Sequence, residues 1–136
     1  MTSPTAQGPG RVLVAVYAIL AVSATARSGV QLLGHFEDAP VAYLLSAGAA
    51  VVYVLATVAL ARGTGRWRTV AWVAVTVELV GVLVVGVLSF IEPDLFPDAT
   101  VWSGLGSGYG YVPLVLPVLG LLWLRRTGRR ELPDAR

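Results

Sequence analysis

Between Val41 and Ala61 the chain runs 21 residues without a charged side chain. A helix of that length reaches roughly 30 Å, the hydrocarbon thickness of a bilayer. Two more runs match it: Val12 to Leu33, interrupted only by Arg27 and Gln31, and Val70 to Ile91, whose single charge is Glu78. The last apolar run, Tyr111 to Leu124, has only 14 residues and carries Pro113 and Pro117. It crosses a membrane only if the glycine-rich segment before it contributes, so a fourth span is drawn over 110–124.

Backbone amides in lipid must be bonded within their own segment or across a closed barrel. No stretch alternates polar and apolar residues as a barrel strand would, so the spans are helices. The expected fold is an all-α membrane protein, a four-helix transmembrane bundle with a glycine-rich outer cap. It forms one domain over residues 11–124, with spans near 12–33, 41–61, 70–91 and 110–124. Residues 1–10, rich in Pro, Gly, Ser and Thr, are expected to be a disordered cytoplasmic leader, and 125–136 a basic cytoplasmic tail.

Composition narrows the function classes. Hydrophobic residues make up 56% of the chain and charged residues 13%, with a mean hydropathy of +0.74. Soluble domains carry about a quarter charged residues, so much of this apolar surface must face lipid. With no cysteine and one histidine, disulfides, thiolate metal sites, iron–sulfur clusters and bis-histidine haem are excluded. All ten basic residues are arginine and lie beside apolar runs rather than forming a basic face among aromatics, which argues against a nucleic-acid partner.

The arginines also set the orientation. With the N-terminus inside, nine of the ten fall in cytoplasmic segments: Arg11, then Arg62, Arg66 and Arg68, then Arg125, Arg126, Arg129, Arg130 and Arg136. The outer loops carry none, and hold instead Glu37, Asp38, Glu92, Asp94 and Asp98. Positive charge flanking a span tends to stay in the cytoplasm, so a multi-pass protein is expected, with both termini cytoplasmic. Aromatic residues fit the same frame. Trp67 and Trp123 mark the inner interface, and Phe36, Tyr43, Phe90, Trp102, Tyr109 and Tyr111 the outer one.

Two ionisable side chains fall inside spans. Glu78, about eight residues into the third, lies near the bilayer centre, where an ionisable group costs at least about 2.5 kcal/mol. It should face the bundle interior and be neutral, paired or wet. It reads either as a proton or cation site or as a carboxyl that fixes helix register. Arg27 is its natural intramembrane partner by charge, although its Cα lies about 10 Å nearer the outside and direct contact needs tilt or a bridging water. Alternatively Arg27 snorkels to the outer interface.

The outer loops offer a possible cation site: His35, Glu37 and Asp38 facing Glu92, Asp94 and Asp98. Hard cations favour clustered oxygens, yet no ligand spacing is recognisable, and acidic outer loops follow from the charge rule alone. In Trp102 to Tyr111, Gly104, Gly106, Gly108 and Gly110 alternate with other residues. Such a segment is no stable exposed helix. It reads as an ordered cap over the outer mouth, or as a re-entrant loop whose irregular backbone is buried in protein or faces water. Small residues four apart in span one (Ala21, Thr25, Gly29) and span two (Ala42, Ser46, Ala50) favour close helix contact inside the bundle over a dimer seam.

The spans, the Phe36-Glu37-Asp38-Ala39-Pro40 entry into span two, the Glu78-Leu79-Val80-Gly81 segment and the stretch Phe96 to Trp102 together resemble small four-span integral membrane proteins of actinobacterial type, that is, of high-GC Gram-positive bacteria. That resemblance covers nearly the whole chain and implies only the fold and a location in a bacterial cytoplasmic (inner) membrane. No catalytic constellation and no cofactor fingerprint is present, so an enzyme is the least favoured class. The leading expectation is an accessory or assembly component that binds a membrane-protein partner, or a second copy of itself, through its helix faces. The alternative is a small proton-coupled transporter or ion-conducting oligomer using Glu78. A third is a protein holding a lipid or quinone.

Overall fold

The computed structural model describes residues 8–34, 37, 40–95, 100 and 102–131. Among them the regular structure is entirely helical: α1 (Pro9–Gly34), α2 (Pro40–Arg62), α3 (Arg66–Ile91) and α4 (Val112–Glu131). Between α3 and α4 lie two 3₁₀ segments, Pro93–Leu95 and Ser103–Tyr109. The first three helices are each long and apolar enough to cross a membrane.

Prolines open α1 and α2 at the position where a helix donates no amide bond and a fixed φ helps. The α2–α3 turn needs glycine at Gly63 and Gly65, whose φ values are 61° and 56°. Beside that turn the Arg62 guanidinium lies 5.4 Å from the centre of the Trp67 ring, a cation–π contact.

α3 begins at Arg66 rather than at 70, so Arg66, Trp67 and Arg68 belong to its first turn. Arg68 donates to Thr127 Oγ1 at 3.1 Å and also to the Leu124 carbonyl, tying the start of α3 to the end of α4. α4 likewise continues past the apolar run to Glu131, making Arg125 to Arg130 helical rather than a separate tail. Residues 1–7 and 132–136, the bulk of the expected leader and the end of the expected tail, lie outside the described residues.

α1 packs most extensively on α2. Buried alanines (Ala21 and Ala24 on α1; Ala49, Ala50, Ala56 and Ala59 on α2) bring the two backbones close. On α2 the stripe Ala42, Ser46 and Ala50 is buried inside the chain. On α1 the buried line runs Ala21, Ala24, Ser28 and Gln31, while Thr25 is exposed. A strict four-residue step drifts about 40° around a helix of 3.6 residues per turn, and only alternating steps of three and four stay on one face.

Large aliphatic side chains stand outward along all four helices, among them Val22, Leu33, Leu44, Val51, Val84 and Leu122. A continuous coat of this kind is suited to lipid.

Candidate functional site

The centre of the bundle is a chain of hydroxyl, carboxyl and indole groups inside an otherwise aliphatic core. Glu78, on the inward face of α3 with Val75 and Val82, is completely buried. Its Oε1 accepts a hydrogen bond from the Tyr17 hydroxyl of α1 at 2.6 Å. Its Oε2 is also buried and has no hydrogen-bond partner among the described residues.

The Tyr17 ring lies 6.4 Å, centre to centre, from that of Tyr53 on α2, tilted by 49°. The Tyr53 hydroxyl accepts from the Trp102 indole Nε1 at 2.9 Å, and those two rings meet edge to face. α4 approaches through Gly120, where an added Cβ would lie 3.2 Å from the Tyr17 hydroxyl. Every helix therefore contributes to the surroundings of one carboxyl.

Trp102 reaches this depth because α3 has a notch for it. A Cβ at Gly81 would lie 2.6 Å from the Trp102 ring, and one at Gly86 would collide with Leu105. Gly81 stands ten residues before the end of α3 at Ile91, about 15 Å along the axis. The glycine-rich segment thus packs against the flank of α3 well below its end.

Its backbone follows a path most residues resist: Gly104, Leu105 and Gly106 have φ of 61°, 62° and 85°. Leu105 and Tyr111 hold left-handed conformations without being glycine, at a cost of about 1–2 kcal/mol each. Side chains satisfy the irregular amides. Ser89 Oγ accepts from the Gly104 amide, and Thr100 Oγ1 accepts from the amides of Trp102 and Ser103. The Gly110 amide bonds to Ser107 and that of Tyr111 to Gly106.

The partner of Glu78 is thus Tyr17. Arg27 is half-buried on α1, ten residues beyond Tyr17. Of the residues expected to form an outer cation site, Glu37, Glu92 and Asp94 are exposed, and His35, Asp38 and Asp98 lie outside the described residues. Among the described residues no group of three or more His, Asp or Glu is placed to hold a metal ion.

Three expected interface aromatics are instead interior: Trp102, Tyr43 and Trp123 are buried. For Trp102 the reason is physical, since the indole N–H finds the Tyr53 hydroxyl and the ring finds the notch at Gly81. Phe90 and Tyr111 remain exposed, and Phe36 lies outside the described residues.

Tyr17 and Tyr53 were missing from the sequence-derived site. The available signal was a tyrosine in mid-span, whose hydroxyl in an apolar setting must find a polar partner. Comparison with protein-family models, with curated proteins and with solved structures finds no match to this chain.

Proposed function

We propose that this chain is a four-span protein of a bacterial cytoplasmic membrane, of actinobacterial type, with both termini inside. Its working group is Glu78, a carboxyl that exchanges a proton within the bundle as part of a small transporter or ion-conducting assembly. The glycine-rich segment acts as a plug on the outer side. In this reading it makes up the depth that the short apolar part of α4 lacks.

The observation that carries the reading is a completely buried carboxyl whose Oε2 has no hydrogen-bond partner among the described residues, a condition it shares with Ser28 Oγ, Gln31 Oε1 and Ser46 Oγ, none of them ionisable. A group kept only to fix register would be expected to satisfy both oxygens, because a half-satisfied buried polar group is worse for stability than an apolar one. Intramembrane carboxyls with spare hydrogen-bonding capacity suit proton exchange. Tyr17 holds the other oxygen and so orients the group.

The test is proton flux into proteoliposomes containing a pH-sensitive dye, driven by a potassium diffusion potential. Wild-type protein is expected to conduct above protein-free vesicles, and Glu78→Gln to reduce the rate at least tenfold. Equal rates for the two proteins would remove Glu78 from the function.

A role as accessory or assembly component is the second reading, and one observation favours it. Gly48 is exposed on α2 beside Leu44 and Val51, with open space where a Cβ would stand, and such a place admits a neighbouring helix closely. Co-purification of a larger membrane protein in mild detergent, lost in Gly48→Leu, would support that reading over transport.

A further inference from the structure

Among the described residues, three of the grooves between neighbouring helices on the outer surface of the bundle share one design. One, about 480 Å³, lies between α1 and α4, with Leu13, Leu116 and Trp123 along its floor and Arg126 at one end. A second, about 440 Å³, lies between α2 and α3, is walled by Val52, Leu55 and Val73, and has Arg66. The third, about 390 Å³, lies between α3 and α4 beside Trp72 and Leu121 and has Arg125. Each is otherwise lined by uncharged, mainly aliphatic or aromatic side chains, and each has a single charged residue, always an arginine. All three arginines sit at the same end of the bundle, the start of α3 or the last part of α4.

We infer that these grooves hold anionic phospholipids of the cytoplasmic leaflet, with an acyl chain along each apolar trough and the headgroup phosphate on its arginine. The chemistry at the two ends of each groove selects this occupant. An apolar trough opening sideways takes a hydrocarbon chain, and a guanidinium at its mouth pairs with a phosphate in bidentate fashion. A second copy of the chain would have to place an acid opposite each of the three arginines, and of the acids on described helices and turns Glu37, Glu92 and Asp94 lie at the opposite end and Glu131 alone at this one. The inference rests on the membrane orientation proposed above and is independent of Glu78.

Spin-labelled phosphatidylglycerol and phosphatidylcholine in vesicles containing the protein provide the test, read as the motionally restricted fraction of each lipid. One arginine near an anionic surface contributes about 1 kcal/mol, so phosphatidylglycerol should be preferred by about fivefold. The preference is expected to fall in Arg126→Gln and to reach parity in the triple variant Arg66→Gln, Arg125→Gln, Arg126→Gln. Leu119→Trp fills the α1–α4 groove from an exposed position. It should lower the number of restricted phosphatidylglycerols with every charge intact.

Arg62→Gln removes a charge at the same end, outside all three grooves, and should leave the preference unchanged. A preference that survives the triple variant, or that falls as far in Arg62→Gln, would overturn the inference in favour of diffuse charge attraction. Absence of any restricted lipid would overturn the membrane reading itself.

Discussion

Trp102→Ala is expected to be the most damaging single change in the molecule, costing about 3–5 kcal/mol in thermal unfolding measured in detergent, since removal of a buried aromatic leaves a cavity that rigid helices do not close. The ring fills the notch opposite Gly81, meets Tyr53 edge to face and donates to its hydroxyl. Trp102→Phe separates these contributions. It keeps most of the packing and loses the N–H, and should cost about 1–2 kcal/mol. Gly81→Leu, which places a side chain where the indole sits, should resemble Trp102→Ala. If Trp102→Ala unfolds within a degree or two of wild type, the glycine-rich segment is not anchored as described.

The second large effect falls on proton flux rather than on stability. Glu78→Met substitutes an apolar side chain of similar volume for a buried carboxyl with one unsatisfied oxygen. Replacing both partners of a buried hydrogen bond by apolar groups of the same shape is nearly neutral or stabilising. In Glu78→Met alone the Tyr17 hydroxyl loses its acceptor, at about 1–3 kcal/mol, while the unsatisfied oxygen is removed. The single variant should therefore stay close to wild type, and adding Tyr17→Phe should raise stability above it. Proton flux should vanish in both. Tyr17→Phe alone strips the carboxyl of its one hydrogen bond and should be the least stable of the three. If Glu78→Met instead lost about 3 kcal/mol or more, the carboxyl would be a structural pin and the transport proposal would lose its basis.

How much of this was legible in the sequence depends on range. The helices α1 to α3 were readable because lipid demands about 20 consecutive apolar residues and α-helical bonding within the segment, both local properties. Glu78 stood out for the same reason, as one charge in 22 residues. Its partner did not, because Tyr17 is 61 residues away and charge alone favours Arg27.

The glycine run announced an irregular backbone, but not that Trp102 would turn inward. That depends on Gly81 and Gly86, which read singly as unremarkable glycines in an apolar span. Boundaries shifted where arginines continue a helix: propensity allows Arg66 to Arg68 and Arg125 to Arg130 to remain helical after the apolar pattern has ended.

Because the chain has no cysteine, its topology can be measured directly with single-cysteine variants and a membrane-impermeant thiol reagent. Thr64→Cys in the α2–α3 turn, Asp94→Cys after α3 and Arg136→Cys at the C-terminus sample three successive sides of the bundle. Four crossings with both termini inside predict labelling of Asp94→Cys alone in intact cells, and of Thr64→Cys and Arg136→Cys alone in inverted vesicles. Labelling of Thr64→Cys from outside intact cells, or of Asp94→Cys and Arg136→Cys from the same side, would contradict it.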